Sequence, residues 1–592
     1  MKRLDPPIAP LLLAFTLGNL ACGEEGGNPD AGTGDGGDQN CGPLPAAENR
    51  CTDPSCNATT GTKTFGQASL KSSDAKDWVV VSWATSEVAA ANENTEVSYQ
   101  RATSNGLTPR AQDRERRARL SPEVYGLVFS PERVARLAAE HRIRAIENRH
   151  PARIGARQGT AIQVRDLLPA GVKKQAMACT DANPSTCGAS MLCVIPEGMT
   201  GGECASTLTI KFYGTGPNAE NVSATVRKVG QKVAIVVDDA NNAAVSDGDV
   251  SELVKRFDEH IAPRDHQLFG EPTVNGKDRD GNGVVTIFLT SRVGQISSSL
   301  VGFFFGDDML STAERPYSNA ADILYMQPPG GSVTLDALSG TIGHEYEHII
   351  SYTAKVLKNQ SDREEVWLDE GLATFAEDVL GYGRDSFTNV LAYLGAVGDT
   401  SLTGYGLVHS NEQEADGFER RGMAQLMVRY VFERAGGAAY PASGGGEITD
   451  SGGVAAVRRM VQGPATGIDA LVAGGQGKTF EQWLGDLLTT VAVDGTKEAR
   501  LACVGPYNFN APATDPYTNF QRGLDLRTTV QVPGGQAIPL NGPQVSTLEN
   551  EQVPFPINGG EVRSVAVASG TVDVSVGGPA DGKIGFRAIP KP

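Results

Sequence analysis

The stretch HEYEHIISYTAKVLKNQSDREEVWLDEGLATFAED, residues 344–378, decides the fold expected for this chain. His344 and His348 are four positions apart, so on a helix their imidazoles share one face and can bind one metal ion. Glu345, beside the first ligand, would project towards a metal-bound water and act as general base. Apolar residues recur at helical spacing around the motif. We therefore predict a zinc site on a buried helix over Leu335–Leu357.

The third zinc ligand should come from a second element packed on this helix, because a catalytic zinc ion needs three protein ligands and one open position. Glu370 follows His348 by 22 residues, enough for the first helix to end and for a second to begin near Glu364. Small Gly371 beside it would let the two helices approach closely. We expect the zinc ligands to be His344, His348 and Glu370.

HEYEH followed by EVWLDEGLATFAED resembles the gluzincins, the HExxH peptidases with a glutamate as third ligand. The stretch from 233 to 436 resembles the hyicolysin-like family of secreted bacterial metallopeptidases, with matching segments LFGEP, DRDGNGVVTIF, SNAADILYM and MAQLMVRYV. This resemblance implies an α+β, thermolysin-like peptidase domain in which the strand Ile323–Met326 is the edge that pairs with a substrate backbone. It also implies hydrolysis of peptide bonds by Glu-assisted attack of a zinc-bound water.

Other residues of such a site are predicted less closely. Asp369 and Glu377 are candidates to accept a hydrogen bond from a ligand imidazole, with simple surface exposure as an equal alternative. The oxyanion formed during hydrolysis needs a donor besides zinc, and gluzincins usually supply a downstream tyrosine or histidine. Tyr382, Tyr405 and His409 are the candidates here, and the sequence does not choose among them.

Two other functions stay open beside a zinc endopeptidase acting on proteins or peptides. An aminopeptidase would be expected to carry the G-x-M-E-N segment of the large aminopeptidases, and the chain has none. A cell-surface binding or adhesion protein on an inactive metallopeptidase scaffold need not keep Glu345 and all three ligands, yet all four residues are present. The intact set favours the endopeptidase.

A second candidate metal site lies in DRDGNG, residues 278–283. Asp278, Asp280 and Asn282 alternate ahead of a glycine, as in the first half of an EF-hand calcium loop. The twelfth position is Leu289, where an EF-hand carries a bidentate glutamate. Calcium is therefore a candidate cofactor, and a tight turn between strands is the alternative.

The start of the chain predicts export. Lys2 and Arg3 precede the apolar stretch Ile8–Leu20, and Cys22 follows. This pattern is typical of a lipoprotein-type signal peptide, residues 1–22, with a lipid on Cys22, and ordinary secretion is the alternative. No later apolar run approaches the roughly 18 residues that span a bilayer. We expect a bacterial cell-envelope lipoprotein or a secreted protein, held to a membrane only through Cys22.

The composition agrees with export and excludes a nucleic-acid partner. Against 70 Asp and Glu stand 52 Lys and Arg, a net charge of −18, whereas binding to a phosphate backbone needs a basic surface. Nine cysteines less Cys22 leave eight, and an even number in an exported chain predicts disulfides. Two local disulfides, rather than a zinc knuckle, are expected among Cys179, Cys187, Cys193 and Cys204, which lack a C-x2-C pair.

The chain divides into six predicted segments. The region before the cysteines is rich in arginine and contains an amphipathic helix, Ser130–Arg144, which we interpret as a solvated face or as a pro-segment docked on the acidic remainder. The segments are 1–22, the signal peptide; 23–60, a flexible Gly/Asp-rich linker; 61–178, an N-terminal mainly β region and candidate pro-segment; 179–230, a Cys-rich β region; 231–505, the zinc peptidase domain; and 506–592, a small C-terminal β module.

Further elements follow from apolar periodicity. Strands are predicted at Trp78–Trp83, Leu208–Phe212, Val233–Val237 and Val284–Leu289, and helices at Asp247–Ile261, Met423–Arg434, Gly453–Val461 and Phe480–Val491.

Overall fold

A computed structural model describes the larger part of the chain, all of it within the unit Gly42–Pro592. The predicted signal peptide and linker, with Cys22, lie outside the described residues, as do Tyr405 and His409. What was predicted for them stays a prediction. The described residues are 62–71, 77–86, 94–103, 122–148, 178–213, 219–384, 386–396, 406–408, 417–441, 445–495, 507–531, 537–543, 545–548, 550–567, 570–579 and 583–591.

The described residues form twelve α-helices, two of which continue as π-helical turns through Phe257–Ile261 and Thr353–Lys358. None of these helices is both long enough and apolar enough to cross a membrane. In chain order they are α1 (Pro122–Val128), α2 (Pro131–Asn148), α3 (Asp247–Arg256), α4 (Ala262–Leu268), α5 (Arg292–Ile296), α6 (Leu335–Tyr352), α7 (Val366–Val379), α8 (Phe387–Ala396), α9 (Phe418–Arg434), α10 (Gly453–Gln462), α11 (Gly467–Gly475) and α12 (Phe480–Val493).

The helices predicted from periodicity are confirmed, with differences at their ends. The largest is at α9, which begins at Phe418 rather than Met423. Ser130 caps α2 by accepting a hydrogen bond from the Arg133 N–H at 3.3 Å.

Strands from distant parts of the sequence combine in several sheets. In chain order they are β1 (Thr62–Lys71), β2 (Asp77–Thr85), β3 (Asn94–Thr103), β4 (Ala178–Thr180), β5 (Leu192–Val194), β6 (Gly201–Ala205), β7 (Thr207–Phe212), β8 (Glu220–Val229), β9 (Val233–Asp238), β10 (Val285–Leu289), β11 (Gly302–Phe304), β12 (Ile323–Met326), β13 (Ala438–Ala439), β14 (Thr449–Asp450), β15 (Ala513–Thr514), β16 (Gln521–Arg522), β17 (Thr529–Gln531), β18 (Ala537–Pro539), β19 (Ser546–Thr547), β20 (Glu551–Pro556), β21 (Gly559–Ala566), β22 (Thr571–Pro579) and β23 (Lys583–Lys591).

A six-stranded sheet in the order β11-β12-β10-β9-β8-β7 positions the motif helix. Strands β9, β10 and β12 run parallel, and β9 and β10 are buried along their whole length. Their sequences VAIVVD and VTIFL are nearly continuous apolar runs, as expected for parallel strands covered on both faces. Helix α6 packs against β11 and β12. Helices and sheets are thus mixed, as predicted, and the thermolysin-like assignment stays a prediction.

The edge of this sheet differs from the one that the family resemblance implies. Strand Ile323–Met326 was expected at the edge, but it lies between β10 and β11. Residues 302–304 fold back antiparallel along it, with Gly302 opposite Met326, and so take the edge position. Among the described residues no strand pairs with the outer side of β11. The expectation for Ile323–Met326 was wrong, and β11 is the edge strand.

The two ends of the described chain form one β-sandwich. Its sheets have the orders β1-β22-β3-β20 and β19-β21-β2-β23, so each contains strands from both ends. The predicted division between an N-terminal region, 61–178, and a separate C-terminal module, 506–592, therefore cuts through shared sheets. The boundary predicted at residue 230 likewise falls inside the six-stranded sheet, because β7 and β8 belong to it.

The sequence DWVVVSWAT of β2 explains why the chain ends meet. Alternate side chains of a strand face opposite sides. In β2, Val80 packs in the sandwich core, whereas Val79, Val81 and Trp83 pack in the main core together with α12. Strand β2 is thus buried on both faces, and within its sheet it pairs with β21 and β23 from the other end of the chain.

The cysteine-rich segment forms a small three-stranded sheet, β4-β6-β5, closed by two disulfides. These are Cys179–Cys193 and Cys187–Cys204. Two local disulfides were predicted and are confirmed, whereas their pairing did not follow from the sequence. The other predicted disulfide cysteines lie outside the described residues.

Replacing Trp83 tests the contact between the sandwich and α12. Its side chain is 3% exposed, and a Cβ atom built on Gly485 of α12 would lie 2.5 Å from the indole Cζ2. Trp83→Ala should lower the free energy of unfolding in urea by about 3–5 kcal/mol, because it removes a large buried side chain. Met199→Ala, at a position 63% exposed, is the control and should change it by less than about 0.5 kcal/mol. Equal effects of the two would contradict this packing.

Candidate metal centre

The three predicted metal ligands meet at one point between α6 and α7. His344 and His348 lie one turn apart on α6, and Glu370 lies in the first half of α7. The Nε2 atom of His344 is 3.6 Å from Glu370 Oε2, and that of His348 is 3.8 Å from Glu370 Oε1. One ligand atom from each of the three residues lies within 4.8 Å of the other two, which is close enough for a single ion to bind all three. All three side chains are buried.

The other nitrogen of each imidazole faces a carboxylate. His344 Nδ1 lies 2.7 Å from Glu377 Oε1, and His348 Nδ1 lies 3.2 Å from Asp369 Oδ2. A carboxylate at Nδ1 fixes the ring orientation and directs Nε2 towards a metal ion. The arrangement fits zinc, which in catalytic sites takes three nitrogen or carboxylate donors of this kind and keeps one position open.

Burial and neighbouring charges act differently on the two imidazoles. Burial, with His348 beside it, lowers the pKa of His344 well below its usual range. Burial also opposes charge on His348, but the carboxylates of Asp369, Glu347 and Glu345 together outweigh it and raise the pKa of His348 well above its usual range. His344 is therefore already in the neutral form that a metal ion requires.

Glu345 is held beside these ligands by the edge strand. Its Oε2 accepts a hydrogen bond from the backbone N–H of Phe304, the last residue of β11, at 2.9 Å. Burial raises the pKa of Glu345 to about 7. The carboxyl group thus lies between the metal ligands and the open edge of the sheet, which is where an extended peptide can pair with a strand.

The glycine after Glu370 has a different neighbour from the one predicted. A Cβ atom built on Gly371 would lie 2.9 Å from the Cβ of Ala424, which belongs to α9. The small residue therefore lets α7 approach α9, not α6. This contact brings the start of α9 close to the metal centre.

Two arginines at the metal centre were not predicted. Arg421 of α9 places Nη1 at 2.9 Å from Glu370 Oε2, and Arg144 of α2 also contacts the Glu370 carboxylate. The segment FERRG, which carries Arg421, lies just before Met423, where the helix was predicted to begin. The signal that could have found it is an arginine pair continuing a long apolar helical pattern.

Helix α2 covers the metal centre. A cavity is lined on one side by Glu140, Ile143, Arg144 and Glu147 of α2, and on the other by residues that include the ligands and Glu345. Burial alone would raise the pKa of Glu140, but the arginines around it lower that pKa to about 2. A carboxylate that stays ionised while buried anchors this face of α2 to Arg421 of α9, whereas Arg136 and Arg144 belong to α2 itself.

The predicted oxyanion donors are not brought to the cavity where the structure describes them. Tyr382 is buried, with its ring edge-on to His260 at a centroid distance of 5.9 Å, and it is not among the residues that line the cavity. Tyr405 and His409 lie outside the described residues.

The second candidate site lies in the loop before β10. Asn282 Oδ1 accepts a hydrogen bond from the Val284 N–H at 2.9 Å, and Asn282 Nδ2 donates to Asp280 at 2.7 Å. Asp278 Oδ2 accepts from the Gly283 N–H at 2.6 Å. The three predicted residues thus close a compact loop.

Two histidines and a glutamate around one point, with a further glutamate beside them, are the donor set of HExxH metallopeptidases. Over 140 residues, 22% of its length, the chain is 29% identical to the neutral metalloprotease ShpI of Staphylococcus hyicus. The match covers 31% of that protein, so the chain spans about a third of the curated relative. No protein-family model matches the chain. The chain is thus similar to a metalloprotease in part of its length.

Glu377→Gln tests whether the outer carboxylate orients His344. The substitution keeps the shape but removes the charge at Nδ1, so the affinity for Zn²⁺ should fall about tenfold or more. Competition with a fluorescent zinc chelator measures this affinity. Asp362→Asn, at an exposed position, is the matched control and should bind Zn²⁺ as the unaltered protein does. An unchanged affinity of Glu377→Gln would contradict an orienting role.

Proposed function

We propose that this chain is an exported zinc-dependent endopeptidase of the gluzincin type. The observation that carries the proposal is the meeting of His344, His348 and Glu370 at one point, with Glu345 beside them. A zinc ion held by these three ligands would polarise the scissile carbonyl and acidify the attacking water. The similarity to a neutral metalloprotease supports the same class of reaction.

Glu345 is the proposed general base. It accepts the proton of the attacking water and delivers it to the amine nitrogen of the leaving group. The hydrogen bond from Phe304 restrains the carboxylate at the edge of the sheet. A peptide that pairs with β11 would therefore lie beside this carboxylate, because β11 would position both the substrate backbone and the base.

The substrate is proposed to bind as an added strand on the outer side of β11. Main-chain hydrogen bonds bind an extended peptide largely irrespective of its side chains. A strand edge of this kind suits a protein or peptide cleaved at an internal bond. Export is supported by two disulfides in the described residues, since such bonds persist in oxidising compartments. The lipid anchor on Cys22 stays a prediction from the first residues.

We also propose that α2 keeps the metal centre closed and is the inhibitory part of the predicted pro-segment. At its start, Arg133 donates to Asn389 at 2.6 Å. In its middle, Glu140 forms an ion pair with Arg421, with Oε2 at 2.8 Å from Nη1. At its end, Arg363 donates to Glu147 at 3.0 Å. These contacts hold the helix across the cavity along its whole length.

Arg144 makes this closure specific to the metal centre. Its guanidinium contacts Glu370, the carboxylate that a zinc ion would need. A metal ion and Arg144 therefore compete for one acceptor. Displacing α2 would free both the ligand and the strand edge.

Glu345→Gln tests the proposed function. The variant should retain zinc, because Glu345 is not a ligand, but hydrolysis of casein or of a quenched peptide should fall at least about a hundredfold, since the general base is lost. Zinc content by mass spectrometry is measured on the same samples. Hydrolysis by the variant at the unaltered rate would contradict the role of Glu345. Folded, unaltered protein without bound zinc would contradict the ligand set and favour the binding-protein alternative.

Arg144→Ala tests the closure by α2. Removing the charged group that contacts Glu370 should raise the rate of Zn²⁺ uptake by the metal-free protein about tenfold, and should raise peptide hydrolysis. The matched control is Arg142→Ala, two positions away on the exposed side of the same helix. Uptake is followed with a zinc-sensitive dye. Equal uptake rates in both variants and the unaltered protein would contradict the closure, whatever the hydrolytic activity.

A further inference from the structure

The loop with the DRDGNG motif meets a buried aspartate that lies outside the motif. Asp278, Asp280 and Asp322 each place a carboxylate oxygen within 4.8 Å of the other two. Asp322 directly precedes β12, so it reaches the loop because β12 and β10 are neighbours in the sheet. The EF-hand pattern requires a glutamate at its twelfth position, but Leu289 occupies that position and is fully buried in β10. The acidic group missing there is supplied in space by Asp322.

Asp322 has the properties of a ligand without its ion. Its side chain is 2% exposed, and its Oδ1 has no hydrogen-bond partner among the described residues. Burial, with Asp278 and Asp280 beside it, raises the pKa of Asp322 well above its usual range. A buried carboxyl group without a donor is stable only if it is protonated or faces a cation. Three adjacent carboxylates make the cation the better partner.

The basic residues of the loop are bound elsewhere. Lys277 pairs with Asp181. Arg279 pairs with Glu197 at 2.9 Å and donates to a backbone carbonyl at 2.7 Å. Lys232 and His266 line the same cavity as the aspartates, and the His266 ring nitrogen Nε2 is 2.6 Å from the Tyr346 hydroxyl. Arg279 offsets the negative charge of Asp280 and Asp322 only in part, because the pKa of both carboxyl groups stays well above its usual range.

We propose that Asp278, Asp280 and Asp322 form a calcium site that joins the loop before β10 to the start of β12. All donors are oxygen atoms, which suits a hard cation and not zinc. Three carboxylates around one point suit the six to eight oxygen ligands of Ca²⁺ better than Mg²⁺, which keeps several waters and takes one or two carboxylates. This site is distinct from the metal centre and does not depend on the proposed peptidase activity.

The position of the site links it to the motif helix. Tyr346 of α6 lines the cavity that holds the aspartates, whereas His344 and His348 of the same helix line the cavity beneath α2. Calcium would therefore stabilise the sheet against which α6 packs. The expected effect is on stability, measurable without any substrate.

The test uses the full chain saturated with zinc, so that added calcium reports on the second site. Titration calorimetry with Ca²⁺ gives the affinity, and thermal melting gives the shift in melting temperature. Luminescence of Tb³⁺, a calcium substitute, is sensitised by a nearby tyrosine and should be excited through Tyr346. The unaltered protein should bind Ca²⁺ in preference to Mg²⁺ and melt at a higher temperature with Ca²⁺ than without it.

Asp322→Asn should bind Ca²⁺ at least about tenfold more weakly and lose most of the melting shift, since ligand charge sets the affinity of calcium sites. Without calcium it should melt no lower than the unaltered protein, because the substitution removes a buried, repelled charge. The control is Asp469→Asn, on the surface of α11, which should behave as the unaltered protein.

Asp278→Asn gives a second variant, at a partly exposed position, should Asp322→Asn fail to fold. It should weaken Ca²⁺ binding in the same way. Calcium affinity unchanged in the folded variant, or no binding of millimolar Ca²⁺ by the unaltered protein, would overturn the site.

Discussion

One buried carboxylate, Glu370, organises the centre of this protein. It is 1% exposed, and a carboxylate in such a place is strongly destabilising unless positive or polar groups surround it. Two imidazoles of α6, Arg144 of α2 and Arg421 of α9 all come to it. Three helices from distant parts of the sequence are thus oriented by a single charge. Removing Glu370 would leave the two guanidinium groups, Arg144 and Arg421, close together without the carboxylate that they share.

On the proposed function, this convergence would couple metal binding to the position of α2. A divalent ion between the imidazoles and Glu370 would neutralise the carboxylate and repel the nearby guanidinium of Arg144. Conversely, Arg144 on Glu370 disfavours a cation at the same point. Because coupling between two ligands of one site is reciprocal, whatever displaces α2 favours the ion, and the ion favours displacement of α2. Arg421, which belongs to α9, contacts both Glu140 and Glu370 and so links α2 to the metal ligand.

The sequence was sufficient for features that depend on local spacing. His344 and His348 are related by one helical turn, and an apolar pattern predicted the burial of their helix. Glu370 followed from the need for a third ligand at a suitable distance along the chain. Arg144, Arg421 and Asp322 were missed because each reaches its site through tertiary contacts, and an isolated arginine or aspartate has no periodic signature. The edge strand was misassigned because β11 is only three residues long and has no pattern of its own.

The sandwich limits which part of the N-terminal region can act as a removable inhibitor. Strand β2 is central in its sheet, with Trp83 packed against α12, so its loss would expose apolar surface on two layers at once. In the other sheet, β1 and β3 lie on either side of β22 and pair with it. Strand β3 also pairs with β20. Helix α2, by contrast, belongs to no sheet. It packs through a short apolar face that includes Ala139 and Ile143, and through side-chain ion pairs and hydrogen bonds whose net contributions are small in water. Opening of the metal centre is therefore expected to move α2 while the strands on either side of it in the sequence stay in place.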